Sequence, residues 1–200
     1  MKNETVRPMT DGQKEDLVNR QLEAWRKIYH DHFGIELGSV VIPAHRKGFD
    51  RLIVVAYGIT TQQAYDICEK LFPCWKSTDR NLDEAIQTND RMPTGGTYAF
   101  WVRDRIEADE ELKNLSANDL SSQGIATETV LERELHEIVY FLETGGKHLD
   151  IKYTTLTAGS RSDGGDVPDA FWDDGEFGVD VDWCGPDDAG DGLRGRQVVS

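Results

Sequence analysis

Long apolar runs are missing from this chain of 200 residues. The longest, Leu52 to Tyr57, falls far short of the roughly 20 residues a membrane helix needs, so no spanning segment is expected. Cysteine is scarce. Cys68, Cys74 and Cys184 form an odd set without Cys-x-x-Cys spacing, which argues against a zinc ribbon or a disulfide framework and suits a reducing cytoplasm. The opening Met1–Pro8 lacks the apolar core of a secretory signal. His136-Glu137-Ile138-Val139-Tyr140 places Tyr140 where a zinc protease helix needs its second histidine, so that chemistry is not expected. Gly145-Gly146-Lys147 lacks the earlier glycine and the following Ser or Thr of a phosphate loop and reads as a helix stop.

The most informative absence is positive charge. Between Asp163 and Asp191 there is no Lys or Arg, yet there are eleven acids. The whole chain carries −15, and residues 101–200 hold 9 basic against 23 acidic groups, while residues 1–100 hold 13 against 14. Direct nucleic-acid binding by the second half is therefore disfavoured, because phosphate neutralisation needs cations. A basic protein surface is the favoured partner. The apolar content of 38% is enough to exclude global disorder and to build a core.

This acidic stretch is patterned. Phe177, Val179, Val181 and Trp183 alternate with Gly178, Asp180 and Asp182, the period of a half-buried strand. Asp174-Gly175 predicts a two-residue turn, since glycine tolerates positive φ. That register sets Asp173 opposite Glu176, Trp172 opposite Phe177, Ala170 opposite Val179 and Asp169 opposite Asp180. Facing acids repel by about 0.2–1 kcal/mol per pair. A last strand bearing Arg194 and Arg196 is expected beside them as internal compensation, with a basic partner or a bound cation as the alternatives.

Elsewhere, Thr10 with Gln13 and Thr60 with Gln63 are capping signals. They predict helices running to about His32 and to just before Pro73. Val40–Ile42, Arg51–Tyr57, Thr97–Arg103 and Tyr153–Thr157 read as strands, with either a βαβ crossover or a short added strand between the second and third. A short helix is expected around Asp83–Gln87, another from residues 107–111 to Leu115, then a polar connection over 116–126. Thr127 or Thr129 opens a firm helix that Gly145-Gly146 ends, with His136 on its polar face near Glu132. Residues 159–165 read as a turn. The expected fold is α+β, with a mixed or mainly antiparallel sheet packed by about three main helices and a β-rich C-terminal region. One domain over residues 1–200 is favoured, with a sub-boundary near 145–150.

Gly159-Ser160-Arg161-Ser162-Asp163-Gly164, Val167-Pro168, Trp172, Val181-Asp182-Trp183 and Leu193-Arg194-Gly195-Arg196 together resemble the C-terminal region of a bacterial family of no known activity. The resemblance implies that this ending is one built unit, and it transfers no catalytic residue. Two function classes follow. The first is a non-enzymatic interaction protein whose Asp169, Asp173, Glu176, Asp180 and Asp182 contact a basic protein, such as a nucleic-acid-binding protein, with no cofactor and no membrane. The alternative is a metal-dependent hydrolase drawing ligands from Asp163, Asp166, Asp187, Asp188 and Asp191. These last do not form a calcium loop, because Ala189 and Val198 stand where ligands belong. Ser160 lacks a base with diagnostic spacing. His45-Arg46-Lys47 is a reserve anion contact, and His30 and His32 suit a helix C-terminus.

Overall fold

The computed structural model describes residues 9–200, so the lead-in expected over residues 1–9 lies outside the described residues except for Met9. Thr10 caps α1 (Asp11–Ile28) with the expected reciprocal bonds: Gln13 N–H donates to Thr10 Oγ1 at 3.3 Å, and Thr10 N–H donates to Gln13 Oε1 at 2.9 Å. The helix widens into a π-helical turn at Tyr29–Phe33 and stops at Gly34, whose φ of 66° suits glycine.

β1 (Arg51–Val55) pairs antiparallel with β4 (Tyr98–Val102) in a two-stranded sheet. Its backbone beyond that pairing finds side-chain partners on α1 and the turn that follows it. Gln21 donates to Asp50 O and accepts from Leu52 N–H, both at 2.8 Å. The Trp25 indole donates to Leu52 O, and the Tyr29 hydroxyl donates to Val54 O while accepting from Ala56 N–H. A helix face of the right spacing thus stands in for a strand. The β1–β4 pairing is antiparallel, so the crossover option is wrong. The intervening chain instead contributes α2 (Thr61–Leu71), β2 (Cys74–Lys76), α3 (Leu82–Ala85) and β3 (Ile86–Asn89). Val40–Ile42 is not a strand, and Val41 is exposed. Ser116, expected in a polar connection, caps a short helix α4 (Ala117–Ser122), with Asp119 completing the box. The helix expected before it reduces to a 3-10 turn, Glu110–Leu112.

Among the described residues the second sheet has five strands in the order β2-β8-β7-β5-β9. They are β5 (Thr154–Leu156), β7 (Val167–Asp173), β8 (Gly178–Cys184) and β9 (Leu193–Arg194), together with β2. Pairings to β2 and β9 are parallel and those within β5-β7-β8 antiparallel. Residues expected as a turn supply β6 (Ser160–Ser162), which pairs with β3. The α+β fold with a mixed sheet stands as expected. Gln197 and Val199 bridge to Thr127 and Trp101, joining the final residues to the earlier elements.

α5 (Val130–Thr144) runs through the middle, every residue from Val130 to Tyr140 being buried. Its apolar stripe of Leu131, Leu135, Ile138 and Val139 enters the main core. Besides Val130 and Tyr140, its remaining buried positions are polar or charged: Glu132, Arg133, Glu134, His136 and Glu137. Asp150 is the node that neutralises this interior. Its Oδ1 accepts from Arg196 Nη2 at 2.6 Å and Ala108 N–H at 2.9 Å. Its Oδ2 accepts from Arg133 Nε at 3.0 Å and from the Thr155 hydroxyl. Arg133 Nη2 stands 2.9 Å from Oδ2 but off the N–H axis, so that contact is Coulombic. Burial pushes the Asp150 carboxyl up, but the Arg196 and Arg133 guanidiniums outweigh it and hold it below its ordinary value. Asp150→Asn should leave two buried guanidiniums under-compensated and lower stability by about 3–5 kcal/mol. Urea unfolding at neutral pH measures it. A midpoint within the scatter of the exposed control Asp191→Asn would show that Asp150 is not the node.

Candidate functional site

Side chains on the five-stranded sheet divide by the two-residue period. Ala170, Trp172, Val179 and Val181 point inward, where Trp172 and Val179 join the main core and Val181 a second cluster. The other face carries Val167, Asp169, Phe171, Asp180, Asp182 and Cys184. Part of that outer face is covered: Val167, Leu156 and Cys184 pack with Leu112, Ala117 and Leu120. The rest is open and is flanked by the half-exposed Trp75 of β2, which pairs with Asp180. Trp75 lies directly over Gly178, where a Cβ would meet the indole at 1.8 Å, so only glycine lets β2 dock there.

The hairpin register differs from expectation by two residues. Trp172 faces Val179, Phe171 faces Asp180, and Asp169 faces Asp182. The loop is Asp174–Phe177, not Asp174-Gly175 alone. Asp173 Oδ1 accepts from Gly175 N–H at 2.6 Å and Glu176 N–H at 3.3 Å, an Asx-type turn that competes with the tight hairpin. Phe177 takes φ 57° and is exposed, so it is not part of the apolar strand face. A shift by two keeps every side chain on its expected face, so the acids remain together although their partners change.

Of the candidate residues, Asp169, Asp180 and Asp182 converge on the outer face. Asp173 is committed to its own turn, and Glu176 is exposed in the loop. The expected compensation by the last strand does not occur. β9 lies at the opposite end of the sheet, beside β5. Arg194 pairs with Glu110 at 2.8 Å and Arg196 with Asp150. Glu110 of the 3-10 turn and the buried Asp150 take these guanidiniums, and the strand acids are left without them. Among the described residues none of the five candidate carboxylates takes part in an ion pair. Burial, then the charge of Asp182, pushes the Asp169 carboxyl up to about 7. Asp180 is raised by burial and by Asp182, Asp173 and Glu176.

The other constellations are taken up structurally. Asp163 pairs with Arg80, Asp187 accepts from Asn118, and Asp188 caps Gly185 N–H. Among the described residues no group of three or more His, Cys, Asp or Glu side chains is placed to hold a metal ion. Ser160 is buried, donates to Asn89 Oδ1 at 2.6 Å and accepts from Val130 N–H at 3.0 Å, which makes it a helix-end support. His45 is held by Asp50 at 2.7 Å, and His30 faces Glu36 at 2.7 Å. His136 is not on a polar face: it is fully buried against Glu128 Oε1 at 2.9 Å. Burial holds the imidazole well below its ordinary value and pushes Glu128 up to about 7, so it disfavours charge on both partners.

Trp75 and Phe171 were missed as members of the outer face. The two-residue period already put Phe171 beside Asp169. Trp75 had no local signal, because its strand joins β8 in parallel over more than a hundred residues of chain. No described helix is long and apolar enough to cross a membrane. Comparisons with family models, curated proteins and solved structures return no match.

Asp169 and Glu134 are among the carboxyls raised by burial, and their linkage has one sign. Each is neutral in the fold and ionises in the unfolded chain above about pH 4, so it costs stability increasingly as pH rises toward its folded value. For Asp169 the window runs from about 4 to about 7. Asp169→Asn should gain about 1–3 kcal/mol at pH 8 and nothing near pH 4, read as a rise in Tm of about 2–4 °C per kcal/mol. Glu134 is sealed with no partner for either oxygen, and burial first, then Asp83, holds it well above the ordinary range. Glu134→Leu should stabilise in the same direction, with a difference from the native protein that widens from pH 5 to pH 8. A gap that narrows with pH would reverse the assignment.

Proposed function

We propose that this protein is a non-enzymatic binding protein, and that the open outer face of its five-stranded sheet docks a basic surface on a protein partner. One observation carries this reading. Most interior acids have a guanidinium partner, whereas Asp169, Asp180 and Asp182 stand together on one sheet face with no cation paired to them among the described residues. Like charges directly across a strand pair are destabilising. A fold that tolerates such an arrangement at its surface is giving up stability for something outside itself.

The chemistry of the face fits a cationic protein surface. Trp75 and Phe171 offer flat apolar area beside the acids, the mixture that holds Arg side chains at interfaces. The negative field steers association and disfavours phosphate backbones, so a nucleic-acid-binding protein would be engaged through its basic surface and in competition with its nucleic acid.

The test is capture of a partner by the tagged protein from host extract at low and high salt, with the partner identified and its affinity then measured. The triple change Asp169→Asn, Asp180→Asn, Asp182→Asn should weaken binding at least tenfold and flatten its salt dependence. Unchanged affinity and an unchanged salt slope in a folded triple variant would rule out this face.

A further inference from the structure

Asp169 differs from every other acid on the sheet. It is only 6% exposed, yet it accepts no hydrogen bond from a nitrogen or hydroxyl donor. The Cys184 thiol beside it is a weak donor, within reach of both this carboxylate and Val167 O, the latter at 3.7 Å. The sealed, partnerless atoms among the described residues belong to Glu128, Arg133 and Glu134. Asp169 is not one of them, so its carboxylate still meets solvent at the sheet surface. Directly across the strand pair stands Asp182, half-buried, with one oxygen accepting Trp183 N–H at 2.8 Å. A nine-tenths-buried carboxylate with only a thiol as donor, facing a second carboxylate, lacks a cation among the described residues.

We propose that the Asp169–Asp182 pair is the anchor for a single arginine side chain of the basic partner. This rests on the docking role of the sheet face and names its central contact.

The placement favours a planar cation. The pair lies at the boundary where the outer face passes from covered to open. On the covered side Leu156 is the cross-strand neighbour of Asp169, and it packs with Val167 and Leu112. On the open side Phe171 is two residues along the same strand and the same face. A guanidinium can therefore bridge two carboxylates with its fork of N–H donors and rest against an aromatic ring, which an ammonium does less well. Apolar surroundings on one side strengthen the pairing.

The proton balance follows from the charged groups around the pair. On β7 there is Asp173, and on β8 Asp180. The turn between them adds Asp174 and Glu176, and Asp166 and Asp188 lie towards Cys184. All are acids. Lys76 of β2 pairs with Val181, so it is on the inward face, where its ammonium donates to Thr78 O and Arg80 O. With no cation present, repulsion and burial keep a proton on Asp169 up to about pH 7. An arriving guanidinium makes Asp169 ionise, and its proton leaves to solvent.

The probe is a hexa-arginine peptide titrated into the full chain by calorimetry, at pH 6 and pH 8, in two buffers of different ionisation enthalpy, with hexa-lysine alongside. Expected are affinity about tenfold tighter at pH 8 than at pH 6, close to one proton released per peptide at pH 6, and weaker binding of hexa-lysine. Asp169→Asn should abolish both the proton release and the pH dependence while remaining folded by circular dichroism. Asp173→Asn, outside the pair, should keep both. If hexa-arginine binds with no proton release and Asp169→Asn binds as the native chain does, the anchor is wrong while the docking face survives. If hexa-arginine does not bind at low salt at all, both fall.

Discussion

Four donors converge on the carboxylate of Asp150, and the rest of the fold is arranged around that convergence. They come from α5, from β5, from the loop before the 3-10 turn and from the segment after β9. The residue also takes φ 54°, a left-handed conformation that Asp adopts more readily than most. Its own backbone accepts from Trp172 N–H and donates to Ile106 O. A buried charge network of this kind adds little net stability compared with an apolar core, but it permits few alternative arrangements. Register of the sheet against the helix is fixed by it.

That network explains why the acidic face is left bare. Arginines are few in the second half of the chain, and the interior claims them. Arg133, Arg194 and Arg196 are each almost fully buried. Arg196 also donates to the Arg105 and Ile106 carbonyls, so its fork has no capacity left for a strand acid. The charge imbalance of the sequence is therefore partitioned in space. The core is close to neutral, and the excess negative charge sits on the outer face and in the loops that border it.

Local signals were legible where local physics decides. Both capping boxes that open α1 and α2, the Thr129 cap and the Gly145 stop of α5 were all readable from short-range chemistry. The alternation in β8 placed Asp180 and Asp182 on one face correctly. The register failed because two turn chemistries compete at Asp173–Gly175, and the Asx turn prevails. Everything that depends on distant pairing was invisible: the parallel addition of β2, the position of β9, and the burial of His136 and five charged groups on or beside one helix. A helix with that many charges reads as amphipathic, and nothing short-range announces that its polar side is covered by the C-terminal sheet and loops.

The position of Arg196 late in the chain has a kinetic side. Protein synthesis delivers α5 and Asp150 well before Arg196, Gln197 and Val199, which complete the charge network and bridge to Thr127 and Trp101. Until those residues emerge, Asp150 has Arg133 as its one guanidinium partner, and the α5 interior is not closed. A nascent chain at that length cannot bury its central helix at a profit, so most long-range structure must form late and together. The fold is thereby closer to a single cooperative event than to one built element by element.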